Sequence, residues 1–305
     1  MSHSHGFRED ARSGLLRARP PRDAIAWVER SLEARVTSIR AVKGGTSSAV
    51  HVVRVSSPRG VESVILRRYV VPEVNLEEPD IAAREAHALQ FLSSTDVLAP
   101  SVLAVDTTGA EAGVPTVLMS RVPGRLDWAP NDVAEWLRGL ASVLPVVHAV
   151  PLTPGHRFGD FRPYAPSSWD PPPWMQRPAL WDRAIGIFHG PSHDNERVLV
   201  HRDYHPGNVL WRRRRVTGVV DWESASIGPP SVDASWCRVN LIGQFDLDIG
   251  DRFVGIWEQI SGRRHHPWAD VVLLVDAMSW SGPRSERGRG DMEHALARGL
   301  AELAG

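Results

Sequence analysis

The stretch His201-Arg202-Asp203-Tyr204-His205-Pro206-Gly207-Asn208 constrains this chain more than any other. Apolar Val198-Leu199-Val200 leads into it, so a short buried strand delivers a His-x-Asp unit at its end. Pro206 and Gly207 argue against a helix, which puts Asp203 and Asn208 on one loop. Val209-Leu210-Trp211 and the run from Val216 to Val220 read as two arms of a hairpin. The second arm ends by presenting Asp221, with Trp222 and Glu223 behind it. Two carboxylates and one amide oxygen thereby converge on one strand-end cleft. Hard oxygen donors of this kind suit Mg²⁺ bound together with phosphates. A carboxylate beside them suits a base that receives a hydroxyl proton. His201 and His205 are not a zinc-protease pair, which needs a helix and a Glu after the first His. Arg202 stands there instead, and Pro206-Gly207 follow directly.

The order H-x-D-x-x-x-x-N, hydrophobic strand, D-W-E resembles the catalytic core of the aminoglycoside phosphotransferase family, small-molecule kinases that are similar to protein kinases in fold. The resemblance covers nearly the whole chain after residue 23 and is strongest at 197–236. It implies an α+β, bilobal, protein-kinase-like fold with a small antiparallel-sheet lobe and a larger, mostly helical lobe. The expected organisation is an N-terminal segment 1–22, a nucleotide-binding lobe 23–120 and a catalytic and acceptor-binding lobe 121–305. The implied activity is transfer of the γ-phosphate of ATP or GTP to a hydroxyl of a small molecule, with aminoglycosides and other antibiotics among the candidate acceptors. Asp203 is then the base and His201 anchors its loop. Asn208 and Asp221 hold Mg²⁺, and Asp233, early in the next helix, supports the loop. The role of Glu223 is left open. The competing class is a nucleotide-binding module without catalysis; the presence of all three oxygen donors argues against it. The absence of an A-P-E segment after Asp221 argues against a protein kinase.

Composition narrows the partners. The chain of 305 residues is long enough for two lobes, and 42% hydrophobic residues permit a sizeable core. A net charge of −1 points to neither a nucleic acid nor a membrane surface as partner. The single cysteine, Cys237, rules out an internal disulfide and fits a reducing cytoplasm, where it reads as a small buried apolar residue. Leu15-Leu16 is too short for a signal core, and no run approaches the ~20 apolar residues of a membrane span. The expected state is a cytoplasmic monomer or homodimer acting on a small hydroxylated acceptor.

The nucleotide side is read from the first third of the chain. A helix from Ala24 to Leu32 precedes strands at Val36–Val42, Ala49–Val55 and Val61–Val70. Gly44-Gly45-Thr46-Ser47-Ser48 joins the first two strands. By itself this is an ordinary hairpin turn; by the resemblance it is the phosphate-covering loop, although it lacks both G-x-G-x-x-G and a following G-K-[ST]. The resemblance also puts a phosphate-binding base on the third strand, here Arg67 where protein kinases carry Lys. Asp80 to Ser93 reads as a helix whose stripe Ala82, Glu85, Ala86, Leu89 includes one carboxylate. A buried carboxylate needs a partner, and Arg67 is the natural one. Val102–Val105 and Pro115–Met119 complete the sheet, with Gly109 to Gly113 as their turn. By the resemblance, backbone groups of Ser120 and Val122 meet the adenine edge and Ile65 covers its face.

In the second part, Val133 to His148 carries an apolar stripe, with Pro145 set to tighten its last turn. Residues 150–196, rich in Pro and Trp, include one helix at Ala179–Phe188 and are taken as part of the acceptor side. Arg212 to Arg215 fill a solvated turn. Ile227-Gly228-Pro229-Pro230 reads as a turn, with Ser231 as cap of the next helix. Further helices are expected near 232–242, 246–260, 267–280 and 285–303.

Overall fold

The computed structural model describes residues 13–42, 47–164, 169–192, 194–280 and 285–304. The chain divides into two compact units, Met1–Pro123 and Gly124–Gly305.

The first unit is built on one antiparallel sheet. In chain order its elements are α1 (Arg22–Leu32), β1 (Arg35–Ala41), β2 (Ala49–Ser57), β3 (Gly60–Arg68), α2 (Pro72–Glu77), α3 (Ile81–Leu92), β4 (Val102–Asp106) and β5 (Thr116–Ser120). The strands lie in the order β1-β2-β3-β5-β4. Alternation sorts the side chains. Val53 and Val55 of β2, Val64 and Leu66 of β3 and Leu118 of β5 pack with Ala24, Trp27 and Val28 of α1 into one dry core. Ile65 and Arg67 therefore lie on the other face, paired with Val52 and Val50 in β2 and with Met119 and Val117 in β5. Asp106 shapes the turn after β4. Burial favours its protonated form, but backbone N–H groups of Ala112, Glu111 and Gly109 hold its carboxyl below the ordinary value.

The second unit contains α4 (Val133–His148), α5 (Ala179–Phe188), β6 (Val198–Val200), β7 (Val209–Arg212), β8 (Arg215–Val219), β9 (Ser226–Gly228), α6 (Ser231–Gln244), α7 (Leu247–Ser261), α8 (Pro267–Trp280) and α9 (Glu286–Glu302). Asp132 caps α4 and Asp246 caps α7, each accepting a backbone N–H from the first turn at 2.9 Å. Trp181 of α5, Val232, Val239 and Ile242 of α6, Val271 to Val275 of α8 and Ala295, Leu296 and Leu300 of α9 form the main core. Among the described residues, no helix is long and apolar enough to cross a membrane.

Four local expectations need correction. Pro206–Asn208 is a single 3₁₀ turn rather than plain loop, because Pro206 stands at its first position, where a missing N–H costs nothing. Ser226–Gly228 is a strand, paired antiparallel with β6, where a turn was expected. Ser231 does not cap α6: Pro230 occupies that place, and the Ser231 hydroxyl donates to Asp194 at 3.0 Å. The short helix α2 was not anticipated.

Candidate active site

β6 consists of three fully buried apolar residues, and its partner β9 pins it with Leu199 opposite Ile227. The chain then turns sharply, with Arg202 at φ 70°. Both backbone N–H groups at this bend donate to the Asp233 carboxylate, His201 at 3.0 Å and Arg202 at 2.7 Å. His148 Nε2 lies 3.0 Å from the same carboxylate, so this fully buried group is well supplied with partners. His201 Nε2 meets the Val220 carbonyl at 3.0 Å, and its ring rests 4.5 Å from that of Trp222. A carbonyl only accepts, so the His201 proton sits on Nε2. The buried Tyr204 hydroxyl donates to the Leu140 carbonyl of α4 at 2.8 Å. The loop is thus tied to α4, to α6 and to the end of β8.

Asp203 is held from two sides. Trp236 Nε1 donates to its Oδ1 at 2.7 Å, and Asn208 Nδ2 donates to its Oδ2 at 2.9 Å. His205 Nε2 stands 3.7 Å from Oδ2. The Gly207 N–H donates to His205 Nδ1 at 3.1 Å, which leaves the imidazole proton on the Nε2 facing Asp203. Gly207 allows this fold-back: a Cβ there would stand 2.4 Å from His205 Cε1. Burial by itself would raise the Asp203 pKa. The neighbouring His205 and His201 rings and the Trp236 N–H outweigh it and hold the carboxyl below its ordinary value. The group is therefore ionised at neutral pH and able to receive a proton.

Asn208 also donates from Nδ2 to the Asp203 carbonyl at 2.9 Å, so its Oδ1 is the oxygen it can offer elsewhere. The Val220 N–H donates to the Asn208 carbonyl at 2.9 Å, which zips the hairpin shut and sets Asp221 one residue past Asn208's partner. Asp221 itself lies at φ 73°, a left-handed conformation that is uncommon outside glycine. A neutral amide oxygen and a carboxylate are hard donors that fit Mg²⁺. Among the described residues, no three His, Cys, Asp or Glu side chains form a metal cage. A Mg²⁺ here would complete its shell with phosphate oxygens and water, as this ion commonly does.

In the first unit, Arg67 and Glu85 are both buried and paired, Nη1 to Oε1 at 2.5 Å. Arg67 Nε donates to the Ser48 hydroxyl at 2.8 Å, and the Tyr69 hydroxyl donates to Glu85 Oε2 at 2.8 Å. Arg67, Glu85 and Ser48 are thus brought together, and Ile65 shares their face of β3. Ser47 is half-buried beside Ser48. Gly44, Gly45 and Thr46 lie outside the described residues. The Ser120 N–H donates to the Ser101 carbonyl at 2.8 Å, so what Ser120 can still offer a base edge is its carbonyl. Val122 follows in the segment that ends this unit.

Three residues escaped the reading of the sequence. Trp236 stands three positions after Asp233, on the same helical face, and that spacing was the available signal. Tyr69 stands two after Arg67, on the continuation of β3. Tyr204 lies within the motif, but its anchoring role has no signature in the sequence.

Comparison with known proteins gives the same picture. Residues 38–269 match the APH phosphotransferase enzyme family. Among solved structures, aminoglycoside phosphotransferase APH(4)-Ia is 13% identical over 93% of this chain and 99% of that one, with a TM-score of 0.62. Macrolide 2'-phosphotransferase MphH from Brachybacterium faecium is 19% identical over 92% of this chain and 93% of that one, with a TM-score of 0.55. The APH(2")-IIa chain of a ternary complex with streptomycin and ATP is 13% identical over 87% of this chain and 92% of that one, with a TM-score of 0.54. These likenesses establish the α+β, kinase-like fold. With a family match across most of its length and the fold to go with it, the chain belongs to the APH phosphotransferase enzyme family.

Proposed function

We propose that this protein transfers the γ-phosphate of ATP or GTP to a hydroxyl of a small molecule, with aminoglycosides and other hydroxylated antibiotics as the first acceptors to test. The observation that carries this reading is the Asp203 carboxylate, ionised and gripped through both oxygens by Trp236 and Asn208. A base so fixed has one defined direction in which to receive a proton, and positioning of that kind is what phosphoryl transfer asks of a protein. The acceptor O–H bond breaks as its oxygen bonds to phosphorus, and the proton passes to Asp203. The terminal phosphoanhydride bond breaks, and the nucleoside diphosphate leaves.

Asn208 and Asp221 are the residues that would hold Mg²⁺, which when bound supplies charge neutralisation on the phosphates. Arg67 would bind the nucleotide phosphates from the first unit, with Glu85 fixing its guanidinium. The carbonyl of Ser120 and the backbone of Val122 would meet the base edge. His201 and Asp233 act through the loop backbone rather than on the substrates. The test is a nucleotide-consumption screen across aminoglycosides, macrolides and simple alcohols with Mg²⁺, each positive verified by mass spectrometry of the phosphorylated acceptor. Nucleotide binding with no acceptor-dependent consumption anywhere in the screen would point instead to a binding module.

A further inference from the structure

Arg202 sits between the loop anchor His201 and the proposed base Asp203, in a left-handed conformation with φ 70° that a side chain rarely adopts. It is nevertheless buried, and two of its three guanidinium nitrogens are held by one short segment. Nε and Nη2 both donate to the Arg162 carbonyl, at 3.1 and 2.9 Å. The Tyr164 ring stacks on the guanidinium with its centroid 3.2 Å from Cζ, and the Phe161 ring lies 5.7 Å away. The segment from Asp160 to Tyr164 has further ties. The Phe161 N–H donates to the Ile227 carbonyl of β9 at 2.8 Å. The Tyr164 N–H donates to Asp276 of α8 at 3.2 Å, and the Tyr164 hydroxyl meets the Ser224 hydroxyl at 2.9 Å. Ser224 stands three residues beyond Asp221. One strap thus touches the residue before the base, the turn after the metal-binding carboxylate and a core helix.

We infer that Arg202 is a positioning residue that latches the strap Asp160–Tyr164 onto the catalytic loop, so that the strap forms a fixed wall of the acceptor side. The inference rests on the phosphotransfer reading above for the word acceptor, while the latch itself is a matter of geometry. A planar fork is needed for it. Only a guanidinium can give two parallel donors to one carbonyl while lying flat on a phenol ring. A lysine would keep the charge and lose both features. The alternative role, a charge that serves the fold alone, predicts different behaviour on substitution.

Arg202→Gly is the decisive variant, because glycine accepts the left-handed backbone without strain and the loop keeps its bonds to Asp233. Hydrogen exchange of the protein without nucleotide or acceptor should show the strap amides of Arg202→Gly and Arg202→Lys exchanging at least tenfold faster than in the parent. The backbone around Val198–Val200 should be unchanged. With a working acceptor, both variants should raise the acceptor KM roughly tenfold, lower kcat by less, and leave nucleotide affinity within about twofold. Unchanged exchange in the strap would overturn the latch. So would equal losses in nucleotide affinity and acceptor KM together with a lowered melting temperature, since that pattern marks a merely structural residue. If the parent phosphorylates no acceptor, the phosphotransfer reading fails, and the exchange measurement still decides whether Arg202 holds the strap.

Discussion

Asp203 owes its character to neighbours that reach it from two directions. Trp236 contributes through a single N–H at 2.7 Å, from 33 residues further along the chain. A hydrogen bond to a charged group is worth about 1.5–3 kcal/mol, so its loss should be felt wherever the orientation of that carboxylate matters. Trp236→Phe keeps the ring and deletes the donor. It should lower kcat on the order of tenfold and leave nucleotide affinity unchanged, as steady-state kinetics beside calorimetric titration will show. An unaltered kcat would mean that Asn208 alone orients the base. Asp276 carries a second residue-scale prediction. It is almost wholly buried, and that burial, resisted by the Arg202 charge and the Tyr164 N–H, raises its carboxyl from 3.8 to about 6. The folded state therefore binds more protons than the unfolded state between these values, so stability falls as pH rises from about 4 to about 6. The effect is on the order of 2–3 kcal/mol at neutral pH. Asp276→Asn should remove it, stabilising the protein at pH 7 but not at pH 4; melting curves at the two pH values that show no such divergence would contradict the account.

Among the elements, the pairing of α3 with β3 explains why two buried charges are tolerated. Arg67 lies on the sheet face opposite α1 because alternation leaves it no other place, and the stripe of α3 offers Glu85 as its partner. Each group buried without the other would be an uncompensated charge, at a cost of about 3–5 kcal/mol. Arg67→Ala and Glu85→Ala should each destabilise the first unit by that order or weaken nucleotide binding. The double variant should cost far less than the two losses added, and a double-mutant cycle measures this. This pair was legible in the sequence because helix period and strand period both carry across long, regular elements. The hairpin β7–β8 was legible for the same reason. The misses have the opposite cause. β9 spans three residues, too few for alternation to register, and its pairing with β6 is set by tertiary contact. The short α2 begins on a proline, which reads as a breaker unless it stands at the first helical position. Ser231 looked like a cap but is the first residue of its helix: its hydroxyl donates to Asp194, and Pro230, which has no N–H of its own, stands at the cap position.

For the molecule as a whole, the H-x-D-x-x-x-x-N and D-W-E stretches carry the family resemblance in the sequence alone, because their chemistry is concentrated in nearly consecutive residues. What lay beyond that reach was the support for the loop. His148, Leu140, Trp236 and Asp233 come from two helices, and only folding brings them to one carboxylate or one backbone bend. Residues 150–196 were legible only as an irregular stretch rich in proline and tryptophan, and the ties of Arg162 and Tyr164 to Arg202 and Asp276 depend on side-chain geometry that no local pattern encodes. The central claim is that Asp203 receives the proton of an acceptor hydroxyl and does not bind the nucleotide. The measurement that tests it most directly is nucleotide affinity and turnover of the parent and of Asp203→Ala, side by side with one working acceptor. Nucleotide affinity should stay nearly intact while phosphoryl transfer falls by roughly 10²–10⁴, mainly in kcat. Turnover in Asp203→Ala equal to that of the parent would contradict the account.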